Sequence, residues 1–242
     1  MRATPVRPAT TPASSRRPAR RDAAPRDGSS MRVLMLVATL ICAAAAPAVA
    51  RAAAPPAPFD PQAYSQQPTE CDRLAAHPED PYKVAAGQER KAIDLPRAIA
   101  ACEAAVRADP KNPRLNYQLA RVYGYSGQGE KALPYRRAAT DADYPQALFV
   151  VGYITLLGLN KQPQDTCAAA ELIRRAAQQG RLAGQLGFVH YVVTGTFDAC
   201  PVRRDVAEMQ GFLAAAKPQL GGDYYKTLLV EQLERQLQVR AA

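Results

Sequence analysis

The chain has 242 residues, 48% apolar and 22% charged, with five cysteines and no tryptophan. Those proportions belong to a folded protein with room for one or two domains, and they exclude a collagen, a multi-span membrane protein and a cysteine-dense miniprotein. The net charge of +9 is uneven: residues 1–50 carry eight arginines against Asp22 and Asp27, while the rest carries 23 basic and 20 acidic residues, a near balance that gives no concentrated basic patch for nucleic acid.

The first element is an address. Residues 33–46, VLMLVATLICAAAA, form a run of fourteen, short for a membrane span and of the right length for a signal-peptide core. Arg32 precedes it, and Ala48-Val49-Ala50 follows as a small-residue cleavage site. Residues 31–50 alone, opening on Met31, make a compact secretory signal, with residues 1–30 reading as an over-long gene start. The Arg16-Arg17 and Arg20-Arg21 pairs lie too far upstream for a twin-arginine signal, and Ile41 before Cys42 is too large for a lipidated cysteine. An organelle transit peptide is the remaining rival. Cleavage leaves no stable membrane span, so the expected location is periplasmic or secreted. Residues 51–69 are proline-rich and read as a disordered, semi-extended linker.

Residues 70–242 carry a recurring pattern. Alanine pairs seven residues apart occur at Ala98/Ala105, Ala132/Ala139, Ala170/Ala177 and Ala207/Ala214, in steps of 34, 38 and 37 residues. Seven residues are two helical turns, so each pair lies on one helical face where a neighbour can approach closely. Second apolar segments at 113–125, 145–157, 182–194 and 221–238 complete helical hairpins. Asn112-Pro113 reads as an N-cap followed by proline, Gly180 as a helix stop, and Asp205 with Glu208 as a capping box. Pro134, between Ala132 and Ala139, implies a late start or a distorted first turn.

Four cysteines remain after the signal: Cys71, Cys102, Cys167 and Cys200. An even number in an exported chain points to disulfides, with three pairings open. Cys102 lies on the Ala98/Ala105 face, so a Cys71–Cys102 bridge would staple the segment before the first repeat to the rest. Cys167 and Cys200 lie near the starts of equivalent helices, which makes Cys167–Cys200 the matching pair. No CxxC occurs and His77 and His190 are the only histidines, so neither zinc nor another cofactor is expected. Ser65 and Ser126, the only serines after the signal, stand in neither S-x-x-K nor G-x-S-x-G, and Gly124, Gly127 and Gly129 lack the residues of a phosphate loop. Asp141 and Asp143 fall in an inter-helix loop, where solvation or capping is the expected role. The residues therefore point away from an enzyme.

Residues 109–132, DPKNPRLNYQLARVYGYSGQGEKA, resemble a tetratricopeptide-repeat junction, with Leu119-Ala120, Tyr123, Gly127, Ala132 and Ala139 at its packing positions. Residues 135–158 and 172–195 resemble Sel1-like repeats: an Ala-Ala turn, a loop, a second helix and a closing glycine. The resemblance spans about residues 79–217, with a degenerate first repeat at Ala85-Ala86. It implies an all-α, right-handed α-α superhelix, a solenoid of about four hairpins, closed by a polar cap over 221–238. It also implies a non-catalytic scaffold or adaptor of the cell envelope that holds a protein or peptide in a concave groove. The groove positions it implies are Arg114, Tyr117, Arg121 and Tyr125, then Phe149 and Tyr153, then Gln185, Phe188 and Tyr191. Each aromatic there has an ordinary reading as core. The Lys/Asn clamp by which some tetratricopeptide domains hold a peptide terminus is missing, since Tyr117 and Arg121 stand at those positions. Some exported Sel1-like proteins are β-lactam-binding, which makes a hydrolase-associated role the alternative.

Overall fold

Capping residues and prolines divide the chain into helices. In the computed structural model, which describes residues 56–241, these are α1 (Glu70–Ala75), α2 (Leu95–Ala108), α3 (Pro113–Tyr125), α4 (Gly129–Asp141), α5 (Pro145–Leu157), α6 (Thr166–Gln178), α7 (Leu182–Val193), α8 (Val206–Ala216) and α9 (Tyr224–Ala241), with no strand among the described residues. The chain is all-α over this range. The expected signal over 31–50 and the first part of the expected linker lie outside the described residues. No described helix is long and apolar enough to cross a membrane.

Each helix packs against the next in sequence, and α1 also meets α3, as α7 meets α9. Neighbours in sequence are thus neighbours in space from α1 to α9. The small residues explain the closeness. Ala98, Ala132, Ala139, Ala170 and Ala177 are buried. The fourth pair is a correction: Ala207 and Ala214 are exposed, because α8 turns Met209, Phe212, Leu213 and Ala216 inward instead. Larger apolar residues on that second face bury more area than two alanines would. The stretch expected to form a degenerate first repeat also differs from expectation. The residues around Ala85-Ala86 are a loop between α1 and α2, where Pro78, Pro81 and Gly87 interrupt helical propagation.

Helix ends follow local chemistry. Gly180, with φ +76°, closes α6: its N–H reaches the Ala177 carbonyl and the Arg181 N–H reaches that of Ala176, the paired bonds of a Schellman stop. Asp143 closes α4 in the same way with φ 53°, an uncommon conformation for a residue with a side chain. Asn112 precedes α3 as expected but does not cap it; its amide donates to Ser65 O and Asp109. Asp205 accepts the Glu208 N–H, while the Glu208 carboxylate turns to Arg174 and Gln178 rather than completing a box. A complete capping box occurs at Thr69 and Asp72. Pro134 sits exposed inside α4, which starts at Gly129 and runs through it.

Gly184 marks a close crossing of α6 and α7. A Cβ there would lie 2.7 Å from Ala177 N and 2.8 Å from Ala176 C, both backbone atoms of α6. Gly184→Ala must therefore push α6 and α7 apart and is expected to cost about 1–3 kcal/mol. Urea unfolding checks this, and an unchanged midpoint would mean that the helices have slack.

The disulfides are Cys71–Cys102 and Cys167–Cys200. The first joins α1 to α2; the second joins the start of α6 to the turn before α8. Two disulfides fit an extracellular or periplasmic protein.

Candidate functional site

Helix α3 carries the first set of expected groove residues, and it is buried on every side from Pro113 to Tyr123. A helix with two arginines, an asparagine and a glutamine in that stretch tolerates burial only if each polar group finds a partner. Arg114, 3% exposed, donates through Nε to Asp72 Oδ1 at 2.7 Å and through Nη1 to Ser65 O at 2.9 Å. Gln118 donates to the same Asp72 oxygen at 2.9 Å. Arg121, 7% exposed, donates to the carbonyls of Ala75, Ala76 and Gln88 at 2.7–2.9 Å. Tyr117 is buried against the Tyr144 ring and accepts from Gln146 Nε2.

The material that covers α3 is the chain's own N-terminal segment. Residues 56–69, read from sequence as a disordered linker, lie against the helices here. Phe59 makes ring contacts with Tyr64, Tyr82 and Tyr144. Its N–H donates to Gln179 Oε1 at 2.7 Å, and Gln179 Nε2 returns a bond to Ala57 O. The loop after α1 continues the cover: Asp80, fully buried, accepts the Tyr144 hydroxyl at 2.7 Å, and Glu79 pairs with Arg181. Apart from one 3-10 turn over Pro61–Ala63, capped by Asp60, prolines leave residues 56–69 without helix or strand, so their order comes from aromatic contacts and from side chains that meet their carbonyls. Of the expected groove positions on α3, only Tyr125 keeps part of its surface, with Arg90 and Arg121 over its ring at 5.0 and 5.1 Å.

The groups in this cover titrate in opposite senses. Burial works to raise the Asp72 carboxyl, but the bonds from Arg114, Thr69 and Gln118 together lower it. Burial raises Asp80 despite the Tyr144 bond. Burial, then the charges of Arg121 and Arg181, push His77 down to about 4. The His77 effect has a definite sign. The unfolded imidazole binds a proton more readily than the folded one, so its contribution is intact above pH 6.5 and is lost as pH falls towards 4. His77→Gln is expected to flatten the acid limb of the stability–pH curve in that window by about 1 kcal/mol, the ring being only partly buried and screened by solvent. Unfolding midpoints across that range decide it, and identical limbs would contradict it.

The expected positions on α5 and α7 fare differently. Phe188 and Gln185 are buried in the core, and Arg181 donates to Gln146 at 2.6 Å. Tyr153, however, is 41% exposed, with its ring stacked beside Phe149 at 6.4 Å. Tyr191 is half-buried; burial and the nearby Tyr153 hydroxyl raise its own. Gly187 lies between the helices, where a Cβ would sit 3.4 Å from Phe149 and 3.8 Å from Tyr191. Leu157 extends this exposed stripe one turn along α5. The structure thus brings Phe149, Tyr153 and Tyr191 together on an open face and separates them from Arg114, Tyr117 and Arg121, which are internal.

Ser126 Oγ donates to the Tyr123 carbonyl and Ser65 Oγ accepts the Gln67 N–H; neither meets a histidine. Among the described residues no group of His, Cys, Asp and Glu has metal-binding geometry. Comparison of the chain with protein-family profiles, with curated proteins and with solved structures finds no match.

Proposed function

We propose that the chain is an exported, non-catalytic protein-binding module of the Sel1-like and tetratricopeptide type. Its hairpins stack as a right-handed α-α solenoid, and a protein or peptide partner docks on the α5–α7 face. The recurrence of buried small residues at helix crossings supports the solenoid, and the two disulfides support export. The observation that carries the binding site is the exposed pair Tyr153 and Leu157, flanked by the partly buried rings of Phe149 and Tyr191, left open while the α3 end is covered by residues 56–90. Tyrosine offers contact area at low entropic cost, which suits an interface.

A photoreactive benzoylphenylalanine placed at Tyr153 or Tyr191 in the intact envelope is expected to capture one discrete partner. The same residue at Tyr225, more exposed at 81% but on α9, should not. Equal capture at all three positions, or none at 153 and 191, would contradict the assignment. The N-terminal residue of the mature chain tests export separately: a start near residue 51 is expected.

A further inference from the structure

A cavity of about 70 Å³ lies between α3, α4 and α5, apart from the α5–α7 face. Arg136 of α4 lines it. This guanidinium is 5% exposed, and its Nη1 is buried with no hydrogen-bond partner. Among the described residues Arg136 has neither an ion pair nor a side-chain hydrogen bond, whereas Arg114, Arg121 and Arg181, equally buried, all have them. A charge taken out of water without compensation is a costly arrangement, and burial lowers the pKa of Arg136 accordingly.

The walls define what would compensate it. No carboxylate lines the cavity; Arg121 and His77 do. His77 Nδ1 accepts the Glu79 N–H, so the proton of the neutral ring lies on Nε2. Arg136 Nη2 and the Asn160 amide converge over Gly124, where a Cβ would come within 3.2 and 3.4 Å of them. The glycine leaves the space in front of the guanidinium free. Val150, Val151 and Ile154 of α5 give the lining an aliphatic part, beside Tyr117, Ala120 and Tyr125 of α3. An inorganic anion would satisfy the charge and leave that aliphatic part without a contact.

We propose that this cavity binds a small carboxylate, its oxygens paired with the Arg136 fork and its short aliphatic part against Val150, Val151 and Ile154. A planar carboxylate matches a guanidinium in bidentate fashion. The carboxylate is carried either by a free short-chain acid or by the C-terminus of a peptide ending in a small aliphatic residue.

The test uses the full oxidised chain, with NMR signals of the Arg136 Nε–H and the Ile154 methyls followed during titration. Sodium butyrate is expected to shift both saturably; butyramide and sodium chloride at matched ionic strength are not. N-acetyl-Ala-Val forms the second arm. Tighter binding than butyrate identifies a peptide terminus, and exclusion with butyrate retained identifies a free acid; either supports the carboxylate site. Arg136→Met removes the unpaired charge at similar volume, so it is expected to fold, to melt higher than the parent without ligand, and to bind butyrate at least tenfold more weakly. Gly124→Ala, which crowds Nη2 without touching the charge, is expected to weaken binding in the same direction. No saturable shift, equal shifts with butyramide, or parent-like binding by either variant would overturn the proposal.

Discussion

Asp72→Ala is expected to bring the chain close to unfolding. Asp72 is fully buried, with Oδ1 accepting from Arg114 Nε and Gln118 Nε2, and Oδ2 from the N–H and hydroxyl of Thr69 at 2.8 Å. Alanine removes the only carboxylate that meets Arg114 among the described residues and leaves a guanidinium facing carbonyls alone. Breaking a buried ion pair from one side costs about 3–5 kcal/mol, and the half of the capping box in which Oδ2 accepts the Thr69 N–H is lost with it at roughly 1 kcal/mol, although the Thr69 hydroxyl can still accept the backbone N–H of residue 72. Whole domains are stable by only about 5–15 kcal/mol. The lowered Asp72 pKa gives the effect a pH signature: its contribution is present above the unfolded value of 3.8 and disappears as pH falls below it. Urea unfolding of Asp72→Ala beside Asp72→Asn measures this. A loss below about 1 kcal/mol would mean that the pair is not needed to hold α1 on α3.

The second large effect is expected from Cys71 and Cys102. Their sequence separation is 31 residues, for which the chain-entropy account gives about 3–4 kcal/mol. Helix α1 has six residues and cannot persist alone, so without the bridge it depends on Asp72 and the capping box. The Cys71→Ser/Cys102→Ser variant is therefore expected to melt roughly 10 °C lower. Its cost should also shrink once Asp72 is already replaced, because both hold the same helix. Cys167–Cys200, with a separation of 33 residues, should have a similar entropic term but add independently to Asp72→Ala. Thermal unfolding of the two paired variants and their combinations with Asp72→Ala gives the answer. Full additivity for the Cys71–Cys102 pair would contradict a shared role.

Local patterns made much of this architecture readable. Alanines seven apart located α2, α4 and α6 and their buried faces, because helical periodicity is a property of neighbouring residues. The same placement put Cys102 inside, which made its bridge to Cys71 foreseeable. The Ala207/Ala214 pair located α8 but on the wrong face, since Met209, Phe212 and Leu213 compete for the interior and are larger.

The α3 residues show where local reading ends. Arg114 and Arg121 look like an outer face because they are charged, and their burial becomes favourable only when Asp72 and the carbonyls of Ala75, Ala76 and Gln88 arrive from 33 to 46 residues away. One local signal existed: Thr69 and Asp72 have capping-box spacing, which marks a helix at Glu70 and so a partner for α3. Phe59 and Tyr64 are illegible for a related reason. A proline-rich stretch has no period to read, and its order depends on Tyr144 and Gln179, far along the chain. Tyr153 and Tyr191 cannot be told from Tyr117 by residue type, yet Tyr153 is exposed, Tyr191 half-buried and Tyr117 internal.

The central claim is that residues 56–90 cover α3 and leave the α5–α7 face as the open surface. Residue-resolved amide hydrogen exchange of the oxidised chain tests it most directly. The Phe59 N–H, bonded to Gln179, and the Gln88 N–H, bonded to Ala76 O, are expected to exchange far more slowly than in an unstructured peptide of the same sequence. Exchange at the unstructured rate at both positions would mean that the cover is absent and that Arg114 and Arg121 face solvent after all.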